Sequence, residues 1–304
     1  MSGPEETSGG AGGAAPEFMT TKEVAAYLRI KERRIYELLK QKAIPCTKVT
    51  GKWLFPKDLI DLWLAENAEG KTAAPVPPPV IAGSQDPLLD WAVKQSGCGL
   101  AMLPGGSLDG IRRFARGEAV AAGLHIFERH GPSFNVATVR AALGNRPVAL
   151  MEWAMRSQGV IVAPDNPAGI HALTDLVYGR VVRRQATAGS QLLLEELLES
   201  RGIDPAKIRW TEEIAYGETD LGMAVLERRA DAGFAIEAVA NALELNFTPV
   251  TVERFDLLAR RRDFFAPPLQ RLLTFCRSEA FAARAKEMGG YDVSELGRIH
   301  FNGV

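Results

Sequence analysis

The chain has 304 residues, 46% of them hydrophobic and 24% charged, with a formal net charge of -1. That is the balance of a globular chain long enough for two or three domains, and it excludes a polycation that holds nucleic acid by bulk charge. No stretch approaches the ~18 consecutive apolar residues of a membrane span, so no membrane partner is expected.

In chain order, residues 1–18 are rich in Gly, Ala, Ser and Pro and carry no apolar periodicity. They read as a disordered, vector-derived segment, with Met19 as the natural start. From Met19 to Glu66 there are ten Lys/Arg against six Asp/Glu, so the basic excess of the chain sits in one short segment. Thr20 or Thr21 is placed to cap a first helix, with Glu23 completing a capping box. Val24, Ala25, Tyr27 and Leu28 form its apolar face. A tight turn at 29–31 leads to a second helix over 32–41, where Ile35, Leu38 and Leu39 share one face and Arg33, Arg34, Tyr36 and Lys40 take the other. Apolar alternation on either side of Thr50-Gly51 predicts a small hairpin over 44–55. Pro56 then opens a third helix over 57–65, with Leu59, Ile60, Leu62, Trp63 and Leu64 inward. Two short helices joined tightly, the second basic on its free side, form a helix-turn-helix pattern.

The segments TTKEVAAYL, RRIYELLKQKAIP, GKWLFP and DLIDLWL closely resemble the excisionase/MerR-type winged helix-turn-helix family. The resemblance implies that the second helix enters the major groove of double-stranded DNA and that the hairpin is a wing on the backbone or minor groove. Lys31, Arg33, Arg34, Tyr36, Lys40, Lys48 and Lys52 are the expected DNA-facing residues. An arginine suits a guanine edge and the lysines suit phosphates. Such modules usually act as dimers, and with no heptad after Leu64 the dimer contacts are expected in the second domain.

Residues 67–79 are Ala- and Pro-rich and read as a semi-stiff linker. Beyond them the pattern alternates strand and helix: strand 80–82, helix 88–95, strand 99–103, helix 108–117, strand 120–126 and helix 136–143. Two apolar runs within 148–163 follow, separated by Arg156-Ser157-Gln158-Gly159. The second half continues with strand 180–184, helix 191–201, helix 220–228, strand 232–236 and helix 237–243. Repeated units of this kind predict a parallel sheet with helices on its faces. Ser84, Ser107, Ser190 and Thr219 each fall at a helix N-terminus, where free N–H groups and a partial positive charge favour an anion. Each serine alone reads first as an ordinary N-cap; the set points to a ligand only if the turns converge. Cys46, Cys98 and Cys276 form no metal-ligand or CxxC spacing and read as free thiols of a reducing compartment.

GSQDPLLDWA, GGSLDGIRRFARGEA, RSQGVIVAPDNPAGI, RQATAGSQLLLEELL, ADAGFAIEAVA and MGGYDVSELG resemble the substrate-binding-protein-like domain, akin to the molybdate/tungstate-binding branch of the type II periplasmic-binding fold. The resemblance implies two lobes, one from about 80–164 and 262–304, the other from about 165–261, with hinges at 165–167 and 248–258. It implies ligand contacts from Ser84, Gln85 and Ser107 on one lobe and from Gly189, Ser190 and the Tyr216-Gly217-Glu218-Thr219 turn, with Tyr216 and Thr219 as its named contacts, on the other. Gln85 stands where the family often has histidine. His125, Arg156 and Arg184 are further candidates, with packing or a hinge salt bridge as the competing reading. The implied effector is molybdate or tungstate, with no covalent cofactor and no metal site.

The expected fold is therefore multidomain: a small winged helix-turn-helix followed by a two-lobed α/β binding domain at 80–304. No P-loop, GxSxG elbow, HExxH or His/Cys cluster is present, so no enzyme is expected. The expected function is a cytoplasmic, homodimeric or higher-order transcriptional regulator that binds an operator and senses a small anion. The alternatives are a molybdenum-cofactor-related binding or assembly protein and a sensor of a small organic ligand.

Overall fold

The computed structural model describes residues 18–48, 51–66, 76–128 and 134–303. The chain divides into two compact units, one up to residue 74 and one from residue 75.

In the first unit, β1 (Phe18–Thr20) pairs antiparallel with β2 (Leu54–Pro56), Met19 opposite Phe55. Phe18 thus belongs to the folded unit, one residue before the boundary expected from composition. α1 (Thr21–Tyr27) starts in the anticipated capping box: the Glu23 N–H donates to Thr20 Oγ1 and the Thr20 N–H donates to Glu23 Oε2. α2 (Glu32–Lys40) and α3 (Lys57–Glu66) complete the unit. Met19, Val24, Ala25, Ile35, Ile44, Phe55 and Ile60 form its core. Three expectations fail here. Tyr27 is surface-exposed, donating its hydroxyl to Asp61 at 2.5 Å beneath the Lys57 ammonium, because a phenol prefers to keep its oxygen wet. Leu59 and Leu64 are also exposed, so α3 buries a narrower stripe centred on Ile60. Among the described residues the hairpin shows one antiparallel bridge, Thr47 to Leu54, while β1 takes the other edge of β2; Val49 and Thr50 of the expected hairpin lie outside the described residues.

The second unit begins with β3 (Val80–Gly83), α4 (Pro87–Ser96), β4 (Ala101–Pro104), α5 (Ser107–Ala115), β5 (Ala121–Leu124), α6 (Val136–Leu143) and β6 (Val148–Val162). It continues with β7 (Arg180–Arg184), α7 (Gly189–Ser200), β8 (Arg209–Ala215), α8 (Glu218–Leu226), β9 (Ala232–Ile236), α9 (Glu237–Ala242) and β10 (Asn246–Arg260). α10 (Arg261–Phe264), α11 (Pro267–Phe275), α12 (Glu279–Met288), β11 (Tyr291–Asp292) and β12 (Ile299–Asn302) close the chain. One sheet runs in the order β4-β3-β5-β10-β6-β9-β7-β8, with β11 and β12 on β6. The two outer sets of three are parallel where they pair with one another, and the central β6–β10 pair is antiparallel.

That central pair joins two lobes. Met151, Trp153 and Ala154 of β6 and Phe255, Leu257 and Ala259 of β10 pack in a core with α4 and α11, whereas Val160 and Val162 pack with Leu193, Leu194 and Phe234. The chain therefore changes lobes inside β6, near Arg156–Gln158, and returns inside β10, near Glu253. The first crossing lies earlier than the expected hinge at 165–167; the second falls within the expected 248–258. The two apolar runs read in 148–163 are one continuous strand, because Arg156 and Gln158 are buried and paired rather than turned to water.

Cys98 and Cys276 are buried in one core cluster, and burial pushes the Cys276 thiol up to about 12; Cys46 is exposed. A thiolate is the reactive form, so native alkylation is expected to label Cys46 alone, with the other two reacting only after unfolding; mass spectrometry of iodoacetamide-treated protein reads this directly. Among the described residues no helix is long and apolar enough to cross a membrane, and no group of His, Cys, Asp and Glu is arranged to hold a metal.

Candidate functional site

On α2, Arg33, Tyr36, Glu37 and Lys40 recur at i, i+3, i+4 and i+7, the face opposite the buried Ile35. Lys31, Arg33, Arg34, Tyr36, Lys40, Lys48 and Lys52 are all exposed. Arg33 and Arg34 both lean on Glu37, at 3.4 and 2.8 Å, and the Lys48 ammonium lies over the Trp53 ring. Exposed pairs of this kind are weak, so both guanidiniums remain available to a phosphate or a base edge.

In the second unit the strand ends bring the serine turns together. Ser84 and Ser107, on the turns after β3 and β4, are hydrogen-bonded to each other at 2.8 Å, and the His125 N–H donates to Ser107 Oγ at 3.1 Å. From the other lobe, Gly189 lies against His125: a Cβ there would come 2.5 Å from its carbonyl oxygen. Gly106 lies equally close to Thr187, and Gly217 to Gln85. Gly106 and Gly189 thus let the lobes meet backbone to backbone, an approach that a side chain at either would hold apart, whereas at Gly217 the neighbour is the movable end of Gln85. α5 and α7 both start at this meeting place, and neither has a side-chain cap on its first N–H groups. Asp86, by contrast, caps α4 with its own carboxylate.

Behind the turns lies a chain of buried charge. Arg156 donates to Asp86 at 3.0 Å and to Glu253; Gln158 also donates to Glu253, and His125 Nδ1 is 2.8 Å from the same carboxylate. Asp86 additionally receives the Trp153 indole and the Tyr291 hydroxyl. Burial alone would raise the Glu253 carboxyl, but the Arg156 guanidinium and His125 hold it down at about 2. Facing this on the second lobe, Arg184 donates to Glu218 at 2.8 Å and to the Tyr216 carbonyl. Both arginines are therefore neutralised by carboxylates.

Of the expected ligand residues, Ser84, Ser107, His125, Arg156, Arg184, Gly189 and Ser190 are buried around this junction. Gln85 and Thr219 line a cavity of about 270 Å³ at its mouth, with Trp91, Lys94 and Glu218. Tyr216 does not join them; it is exposed and lines a separate cavity of about 1040 Å³ along the outer face of β8. Asp86, Gln158, Gln185 and Glu253 were missed as site residues. Glu218 supplies the buried carboxylate of the implied 216–219 turn; Glu253 had no signal, because its partner Arg156 is 97 residues away.

Comparison with known proteins matches a helix-turn-helix domain over residues 18–68 and a PBP superfamily domain over residues 90–277. An uncharacterized protein of Bacillus subtilis (strain 168), YvgK, is 22% identical over 299 residues, covering 92% of this chain and 96% of its own length. Among solved structures, a protein from Clostridium perfringens described as a phosphate ABC transporter substrate-binding protein, with bound phosphate, aligns at 11% identity and a TM-score of 0.53, over 72% of this chain and 98% of its own. The tungstate ABC transporter structure from Geobacter sulfurreducens aligns at 14% identity and a TM-score of 0.49, over 67% and 95%. At such identities the first structure speaks for fold alone and the second carries no weight. The two domain matches, in the order and extent that the geometry displays, establish that the chain belongs to the PBP superfamily domain family and carries a helix-turn-helix domain ahead of it.

Proposed function

We propose that this protein is a ligand-responsive DNA-binding regulator whose effector is a small anion held between the two lobes of the second unit. The observation that carries the reading is the convergence of Ser84, Ser107 and Ser190 with two uncapped helix N-termini at a closed junction between lobes. Molybdate and tungstate are the effectors that the sequence resemblance put forward, and no covalent cofactor is needed. Lobe closure on the anion changes the geometry of a homodimer and so the spacing of its two DNA-reading helices. A reader of DNA works where the DNA is, which puts the chain in the cytoplasm. The reading involves no catalysis.

The test is DNA binding by full-length protein with and without anion. Fluorescence anisotropy with duplex DNA is expected to show affinity that weakens steeply with salt and shifts fivefold or more, on the order of 1 kcal/mol, when the effector is present. Arg33→Ala with Lys40→Ala is expected to lower the salt slope by about 2, one for each phosphate no longer neutralised. An unchanged slope removes α2 from the DNA interface; a shift with no anion tried removes the sensor.

A further inference from the structure

The cleft has more to say about its guest than that it is an anion. Around the junction, the second lobe leaves a set of buried polar atoms without partners among the described residues: Arg184 Nε, Gln185 Nε2, Ser190 Oγ and Glu218 Oε2. They lie on consecutive parts of one strand-end cluster: the end of β7, the turn after it, the start of α7 and the start of α8. Ser190 and Glu218 are only 1% and 3% exposed, so bulk water does not serve them. Buried polar atoms are almost always hydrogen-bonded, and a concentration of exceptions marks a place for something else to bind.

The set is mixed in sense. The guanidinium and amide nitrogens donate, the serine hydroxyl does either, and Glu218 Oε2 only accepts when ionised. The other Glu218 oxygen is already taken by Arg184, which also cancels the arginine's charge. A guest that satisfies this cluster therefore carries several acceptor oxygens and at least one proton to donate. Molybdate, tungstate and sulfate are fully deprotonated near neutral pH. Each would place a lone pair, with no proton between, against a buried carboxylate oxygen. Inorganic phosphate and arsenate have the same tetrahedral shape and keep a proton.

Granting the small-anion reading above, we infer that the cleft selects a protonated tetrahedral oxyanion, with Glu218 as the acceptor for its hydroxyl and Ser190 and the α7 N-terminus as donors to its oxygens. Glu218 is thereby the specificity-determining residue. Gln85 and Thr219, beside Glu218 in the mouth cavity, stand at the entry.

Isothermal titration of the full-length protein at pH 7.5 and constant ionic strength, with phosphate, arsenate, sulfate, molybdate and tungstate, tests this. Phosphate and arsenate are expected to bind at least tenfold more tightly than the other three. Glu218→Gln, which keeps the shape and the Arg184 contact and adds a donor, is expected to shrink that preference to threefold or less. Equal or tighter binding of molybdate, tungstate or sulfate to the unaltered protein overturns the inference while leaving the small-anion reading intact; so does a preference unmoved by Glu218→Gln in a variant whose thermal melt is normal. Binding of none of the five brings down the small-anion reading itself. The comparison among anions on the unaltered protein decides the matter even where the variant does not fold.

Discussion

Glu253→Gln is expected to lower the stability of the second unit by about 3–5 kcal/mol, a large part of the 5–15 kcal/mol typical of a domain. Glu253 is fully buried and is the common partner of Arg156, Gln158 and His125. Neutralising it leaves Arg156, itself 1% exposed, balanced by Asp86 alone. The acid behaviour gives an independent measure. The carboxyl moves from its ordinary 4.5 down to about 2 on folding, which corresponds to about 3 kcal/mol. The sign is that of a depressed acid: the contribution is complete above about pH 4.5 and disappears as the pH falls through about 2. Urea titrations followed by circular dichroism at pH 7 and at intervals down to pH 2 read both effects. The variant is expected to be weaker at neutral pH and to lose less on acidification than the parent. Because Arg156 and Glu253 act together, Arg156→Met combined with Glu253→Gln is expected to cost less than the sum of the two single changes. A loss below about 1 kcal/mol for Glu253→Gln sinks the idea that this pair holds the crossover together.

Gly106→Ala is expected to weaken anion binding a hundredfold or more, about 3 kcal/mol, while leaving the unliganded fold nearly as stable. Gly106 precedes α5 with an ordinary φ of -87°, so alanine suits its own backbone. The obstacle is across the junction: the added methyl would lie 2.3 Å from the Thr187 carbonyl oxygen and 2.5 Å from its carbon. Neither atom is the end of a flexible side chain, so the lobes must separate to accept it. Gly105→Ala is the matched control, since its methyl would meet only the Asp109 carboxylate of its own lobe, a side-chain end that can shift at the expense of its exposed pairs with Arg112 and Arg113. Phosphate titration and small-angle scattering of both variants are the measurements. Gly106→Ala should remain expanded in phosphate and Gly105→Ala should compact. Undiminished binding by Gly106→Ala shows that the lobes do not need this contact to hold the anion.

Local physics explains which parts were legible in the sequence. β7 and β9 are short apolar or alternating runs bounded by turn residues, and α4 carries its own cap in Asp86, so both kinds of element could be read without knowing the rest. β8 escaped because Arg209–Ala215 carries three charged residues among its seven and lies at the edge of the sheet, where it is mostly exposed and shows no clean apolar alternation. β6 was cut in two because Arg156-Ser157-Gln158-Gly159 has the composition of a loop; only its pairing with Glu253, far along the chain, makes it strand. The serine turns were legible as helix starts, and their convergence was not, since it depends on how the two lobes close. The same gap hid that Glu218, and not the exposed Tyr216, is the buried polar side chain of the 216–219 turn.

The way β6 is shared has a consequence for synthesis on the ribosome. Its first half is flanked by β10 on one side and by β11 and β12 on the other, all supplied by the far end of the chain. The helix-turn-helix unit, with a self-contained core, is ready to fold soon after it emerges. The first lobe has to wait until residue 302 has been made, holding one edge of β5 and both edges of the first half of β6 unpaired in the meantime. The helix-turn-helix unit is therefore complete before the two-lobed unit, whose nascent chain is the part more exposed to misfolding.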